Sequence, residues 1–198
     1  MSDPSENKAR LREALRRQRR ALSDAEQQAA AEAAVDHVGT LPHWQQAERV
    51  ALYLSADSEL DTGPLSTFSR TQGKSLYLPV IREDDSLEFA LWASDESLVV
   101  NRYGIPEPPP AAARHSANEL DIIFLPLVGW DEFGNRLGMG GGFYDRSLAG
   151  VRQPLLVGLA HDCQRAERVP REAWDISMDF VATGSTLVRC QGASPEDR

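Results

Sequence analysis

Short, unbroken apolar runs set among helical segments restrict this chain more than any other feature. "LDIIFLPLV" (residues 120–128) is the strongest, and "RVALYLS" (49–55), "KSLYLPV" (74–80) and "PLLVGLA" (154–160) share its character. A strand with no polar face must sit in a sheet covered on both sides, the usual situation of parallel strands in α/β proteins. "LEFALWA" (87–93) alternates instead and predicts an antiparallel or edge strand, while "FVATGSTLV" (180–188) predicts one or two closing strands. The expected fold is α/β, a three-layer α/β/α arrangement around a mainly parallel, mixed central sheet. No low-complexity linker divides the chain, so residues 1–198 read as one domain. In such folds ligands bind beyond the carboxyl ends of the strands.

The helices have their own signals. After residues 1–6, which read as frayed, "KARLREALRRQRRAL" (8–22) places Leu11, Leu15, Gln18 and Leu22 on one face and Lys8, Arg12, Arg16 and Arg19 on another. "SDAE" (23–26) is a capping box, opening a second helix that runs to about Val38. A third helix is expected near residues 65–70 and a fourth near 144–148. "GIPEPPP" (104–110) reads as a rigid loop, because its prolines fix φ and remove donors.

Charge narrows the choice of ligand. The net charge is −9, yet residues 1–22 hold seven Lys/Arg against three Asp/Glu, a balance of +4 that leaves −13 for the rest. An acidic body argues against nucleic-acid binding, which needs basic surface to neutralise phosphates. A small basic segment suits a compact anionic ligand better; the alternative is a merely solvated Arg-rich helix. Cys163 and Cys190 form neither a disulfide framework nor a zinc spacing. No apolar signal region or membrane-length run is present, so a cytoplasmic protein without membrane partners is expected.

"NRLGMGGGFYDR" (135–146) follows the strongest strand, with four glycines in residues 138–142. Such a stretch lets backbone N–H groups converge on an anion, or else serves as a tightly packed turn. It matches neither G-x-G-x-x-G nor a P-loop. Its flanks favour the first reading. Arg136 can fork onto phosphate oxygens, Phe143 and Tyr144 offer flat faces to a heterocycle, and Asp145 is an oxygen ligand of the kind magnesium uses.

"DIIFLPLVGWDEFGNRLGMGGGFYDR" resembles the signature of the 5-formyltetrahydrofolate cyclo-ligase (5,10-methenyltetrahydrofolate synthetase) family. "KARLR", "YLSADSELDT", "YGIPEP", "VGLAHDCQ" and "WDISMD" are similar to further family segments in order, so the resemblance covers about Lys8 to Thr183. It implies an ATP-dependent ligase that closes 5-formyltetrahydrofolate to 5,10-methenyltetrahydrofolate and releases ADP and phosphate. Magnesium is the implied metal and ATP the co-substrate. The partners are small molecules only, and a monomer is expected.

By the same resemblance, ATP is bound by Lys8, Ala9, Arg10, Leu11 and Arg12 and by Arg136, Leu137, Gly138, Met139, Gly140, Gly141, Gly142, Phe143 and Tyr144. Lys8 and Arg136 are the implied catalytic cations. Leu54, Glu59, Tyr103, Phe143 and Tyr144 would contact the folate, and Asp145 and Asp175 the magnesium. On pattern alone Leu54 reads as core, Glu59 as a loop charge, Tyr103 as packing on the proline loop, Asp145 as a helix-start residue and Asp175 as a turn cap. His161-Asp162 reads as structural. Gly141 stands where some members carry Lys, and Phe143 replaces the first residue of a frequent Tyr-Tyr pair. Two rivals follow: a domain that binds folate or nucleotide without turnover, and a magnesium-nucleotide kinase with another acceptor.

Overall fold

The computed structural model describes residues 4–93 and 97–192. In chain order the strands are β1 (Arg49–Ala51), β2 (Ser75–Ile81), β3 (Leu87–Leu91), β4 (Val99–Val100), β5 (Pro106–Glu107), β6 (Arg114–His115), β7 (Ile122–Leu125), β8 (Gly129–Trp130), β9 (Arg136–Leu137), β10 (Leu155–Leu159), β11 (Phe180–Ala182) and β12 (Leu187–Arg189). The α-helices are α1 (Pro4–Arg20), α2 (Asp24–Gly39), α3 (Gly63–Thr71) and α4 (Phe143–Leu148). Eight strands form one sheet in the order β12-β11-β10-β7-β1-β2-β3-β6. Its middle, from β11 to β2, is parallel. Antiparallel strands flank it, β12 on one side and β3 then β6 on the other. The mixed, mainly parallel sheet expected from the apolar runs is therefore present.

Alternation explains why those runs are continuous. In β7, Ile122 and Phe124 face one core while Ile123 and Leu125 face the other, and all four are buried. The first core is closed by α2 and α3, through Ala31, Ala34, Val38 and Leu65. Trp44 lies in it, stacked on Phe68 at 5.6 Å. The Lys74 ammonium sits 4.4 Å from the Trp44 ring centre and donates to the Trp44 and Ala47 carbonyls. The second core is closed by the six-residue α4, by β8 carrying Trp130 and by irregular chain carrying Ile176 and Met178. Helix α1 belongs to neither layer. Its Leu15 packs with Val128, Leu137 and Val169 in a third, smaller cluster at the end of the sheet.

Several local expectations need correction. Helix α1 begins at Pro4 rather than Lys8, so residues 4–6 are helical; residues 1–3 lie outside the described ones. Its buried stripe runs through Leu15 and Arg19, whereas Gln18 is exposed and Leu22 half-buried. Polar partners draw the Arg19 guanidinium inward, which a hydrophobicity pattern does not register. β3 is antiparallel but not an edge, because β6 covers it. The proline loop contributes β5, paired with β4 in a separate ribbon. Pro106 opens that strand, a position that tolerates a missing N–H. The Ser23–Glu26 capping box forms as read, starting α2.

Gly134 turns the chain between β8 and β9 with φ of +84°, and a Cβ there would lie 2.6 Å from the Met178 carbonyl oxygen. Gly73 has φ of +74° with nothing within 4 Å. Gly73→Ala should therefore cost only left-handed strain, about 1 kcal/mol. Gly134→Ala adds a backbone collision and should cost about 2–4 kcal/mol. At roughly 2–4 °C per kcal/mol, thermal melts should separate the two variants clearly. Equal melting temperatures would show that the Met178 backbone yields without cost.

Candidate active site

A cavity of about 1030 Å³ opens at the carboxyl ends of the parallel strands. Pro79 and Ile81 reach it from β2, Pro126 and Leu127 from the chain after β7, and Glu59 from the loop after β1. The glycine stretch and the segment 171–177 complete the lining, and α1 adds Lys8 and Arg12. This is the place that strand order alone assigns to a ligand in an open α/β sheet.

The cations are held by specific partners. Arg12 Nε donates to the Gly138 carbonyl at 2.8 Å, tying α1 to the glycine stretch. Lys8 Nζ sits 2.7 Å from both Glu172 Oε2 and Asp175 Oδ2. Burial pulls the Lys8 pKa down, but hydrogen bonds and charges from the two carboxylates together raise it above the usual lysine value. Arg136 is nearly buried, donates to Asp145 Oδ1 at 2.8 Å and lies 5.8 Å from the Tyr144 ring centre. Its Nε has no hydrogen-bond partner among the described residues. A buried, unpaired cationic donor is costly, and an anionic ligand would satisfy it.

The glycine stretch meets those cations with unusual backbone. Gly140 has φ of +103°, open to glycine and strained for other residues, and its missing Cβ leaves room beside the Arg12 guanidinium. Arg146 spans the far side, donating to the Gly141 and Asp85 carbonyls with its guanidinium 5.3 Å from the Phe143 ring centre. Helix α4, at six residues, adds little dipole of its own.

The remaining expected residues divide. Glu59 and Tyr144 line the cavity with Phe143. Burial pushes the Glu59 carboxyl above its ordinary range, against the Ala56 N–H and the Arg19 charge, which pull the other way. Burial likewise holds the Tyr144 hydroxyl protonated far above neutral pH. Leu54 packs against the core under α2 and α3 and does not line the cavity. Tyr103 stands on the β4–β5 ribbon, half-exposed, with its hydroxyl 3.3 Å from Asp85 Oδ1; Ile105 and Glu107 are the ribbon residues that reach the wall. Ala9 and Arg10 are exposed, and Leu11 packs beneath Leu15's cluster. Glu172, Arg146, Trp174 and Ile105 escaped sequence reading. Arg146, Trp174 and Ile105 lie within segments that resemble family motifs, and Glu172 is an acid three residues before Asp175 that shares one turn with it.

His161 is buried, and Asp162 accepts the Thr183 and Ser185 hydroxyls at 2.5 Å each, fastening the last sheet connection. Among the described residues no three His, Cys, Asp or Glu side chains converge as a metal cage. Asp145 and Asp175 are nevertheless adjacent in space, because the Ile176 N–H donates to Asp145 Oδ1 at 3.2 Å. Each spends one oxygen on hydrogen bonds. Two carboxylates suit magnesium when a nucleotide supplies the other oxygens, the commonest way that ion is held.

The sequence profile of the 5-formyltetrahydrofolate cyclo-ligase family matches residues 4–184. The chain belongs to that family. A 5-formyltetrahydrofolate cyclo-ligase of Escherichia coli is 42% identical over 180 residues, covering 87% of this chain and 98% of the relative. One from Haemophilus influenzae is 37% identical, covering 91% and 99%. The 5,10-methenyltetrahydrofolate synthetase of Aquifex aeolicus, solved by NMR, superposes with a TM-score of 0.81 at 33% identity over 94% of each chain. Several of the segments that resemble family motifs contribute to the cavity lining, among them Lys8 and Arg12, Glu59, Ile105, the glycine stretch and residues 174–177.

Proposed function

We propose that the protein is an ATP-dependent ligase that closes 5-formyltetrahydrofolate to 5,10-methenyltetrahydrofolate, releasing ADP and phosphate. The observation that carries this reading is the meeting of Lys8, Arg12 and Arg136 with a glycine stretch in one cavity that is also lined by apolar Pro79, Ile81, Leu87 and Leu127. A formamide carbonyl is a poor electrophile. Attack of its oxygen on the γ-phosphorus of ATP expels ADP and leaves an activated formyl carbon. N10 of the folate then attacks that carbon, phosphate leaves, and N10 gives up its proton. The protein's part is to position two substrates and neutralise charge, and no protein nucleophile is required.

Lys8, Arg12 and Arg136 take the phosphates, with the backbone of residues 137–143 beside them. Glu59 accepts from the pterin N–H groups, with Phe143 and Tyr144 as its flat walls. Asp145 and Asp175 hold magnesium, which spreads the phosphate charge when bound. Leu54 and Tyr103 act at one remove, Leu54 by seating the Glu59 loop and Tyr103 by anchoring the ribbon of Ile105. The whole chain, residues 1–198, acts as one domain, a cytoplasmic monomer with neither nucleic acid nor membrane as partner. The acidic net charge of −9 disfavours nucleic acid, and no helix among the described residues is long and apolar enough to cross a membrane.

Purified protein mixed with 5-formyltetrahydrofolate and magnesium should develop the near-ultraviolet methenyl absorbance only when ATP is added, with ADP formed in equal amount. ADP without the chromophore would favour a kinase, and neither would favour a binding domain.

The raised pKa of Glu59 gives this reading a pH signature. Its proton is taken up at higher pH than by an ordinary glutamate, so the KM for 5-formyltetrahydrofolate should begin to climb on acidification earlier than an unperturbed carboxyl would dictate. Glu59→Gln should show a high KM without that inflection. An identical pH profile in both proteins would remove Glu59 from the folate site.

Gly140 tests the phosphate cradle. A Cβ there meets Arg12 only at an ordinary contact distance of 3.8 Å, so Gly140→Ala should cost little beyond strain of about 1 kcal/mol and melt within a few degrees of wild type. A methyl group among the phosphates should still lower turnover on the order of a hundredfold. Normal turnover with a much lower melting temperature would give the glycine a folding role only.

A further inference from the structure

Lys8 and Arg12 occupy the cavity end of α1, and the other end of the helix converges on one carboxylate outside the cavity. Arg16 Nε and Arg19 Nη2 each donate to Asp57 Oδ2 at 2.9 Å. Arg20 Nε donates to Oδ1 at 2.6 Å, and its Nη2 closes on the same oxygen. Most surface ion pairs of this kind contribute little. This one differs because Arg19 has no solvent exposure at all. Its Nη1 donates to the Leu127 carbonyl in the cavity wall, and Asp57 is the only carboxylate paired with it among the described residues. Removing that partner would strand a buried charge. Burial disfavours the Asp57 carboxylate, yet the arginines hold its pKa below the ordinary aspartate value.

The backbone at Asp57 is as unusual as its company. Asp57 and Ser58 both adopt left-handed conformations, with φ of +51° and +60°. Two consecutive non-glycine residues of this kind persist only where the surroundings over-determine them. The turn they make delivers the next residue, Glu59, to the cavity, with its carboxylate folded back on the Ala56 N–H at 3.1 Å.

We propose that Asp57 is a positioning residue whose carboxylate, gripped by Arg16, Arg19 and Arg20, joins the cation-bearing helix α1 and the Glu59 turn into one unit, so that nucleotide and folate meet in register. The proposal rests on the assignment of Lys8 and Arg12 to the nucleotide and of Glu59 to the folate. Asp57→Gly and Asp57→Asn separate the carboxylate from the turn. Glycine adopts the left-handed conformation freely, and asparagine tolerates it while keeping an acceptor. Both lose the charge.

In the full-length enzyme, well below its melting temperature, each variant should raise the KM for ATP and the KM for 5-formyltetrahydrofolate together, by roughly tenfold or more, since small misplacements of a bound group carry penalties of that order. If both KM values stay at wild type while only the melting temperature falls, Asp57 serves the fold and the proposal is overturned. A rise in only one KM also overturns it, because helix and turn are then independent. Lys8→Ala, run in parallel, isolates the underlying assignment: an unchanged KM for ATP there refutes the nucleotide site itself, whatever Asp57 does. Should neither Asp57 variant fold, Arg16→Ala leaves Arg19 paired and carries the same expectation, a joint rise in both KM values; no rise, or a rise in one, overturns the proposal.

Discussion

Helix α1 is held across the carboxyl ends of the strands by contacts from Lys8 to Arg20. Lys8 pairs with Glu172 and Asp175, Arg12 reaches the Gly138 carbonyl, Leu15 packs on Val128 and Leu137, and Arg19 reaches the Leu127 carbonyl. Without that docking the cavity would lack a wall and two of its cations. The apolar share of the interface is small, only the cluster around Leu15. Polar and ionic contacts therefore define where the helix sits, and their directionality fixes its rotation as well as its position. A helix anchored by hydrophobic area alone could slide, because burial is not directional.

The same contacts keep a crowded charge set stable in the free protein. Lys8, Arg12 and Arg136 approach one region, and each is matched to a carboxylate or a carbonyl. Asp145 and Asp175 thus serve the free protein as counter-ions, whatever they hold when a nucleotide is present. A polyanion entering the cavity meets donors that are already oriented, and little reorganisation is needed at the moment of reaction. The exception is Arg136 Nε, left unpaired in a nearly buried side chain. Each unsatisfied buried group calls for an explanation, and for a cation lining a cavity an anionic ligand is one.

Fold and site were unequally legible in the chain. The five-strand parallel centre followed from the uninterrupted apolar runs, because only a sheet covered on both faces accepts them. The capping box at Ser23 and the short helix after the glycines were legible because their signals are local. The ribbon made by Val99–Val100 and Pro106–Glu107 was not, since two-residue pairing leaves no periodicity. Arg19 was misplaced for a related reason: an arginine buried against Asp57, a loop residue 38 positions away, looks on a helical wheel like any solvated cation. Arg146, Ile105 and Trp174 lie in segments that resemble family motifs, but nothing in their side chains marks them as cavity residues; the placement of α4, the proline loop and segment 171–177 does.

The sequence by itself determined the class of fold, the family, and the position of the glycine stretch after the strongest strand, because these depend on composition and pattern over neighbouring residues. The tertiary structure decided which groups meet. It brought Lys8 to Glu172 and Asp175, Arg136 to Asp145, and three arginines of one helix to Asp57. Most of these pairings join residues dozens to more than a hundred positions apart, and even the nearer Arg136–Asp145 pair spans the irregular glycine stretch. Charge has no periodicity that would announce them; they exist because an eight-strand sheet fixes the loops that carry them within reach of one another.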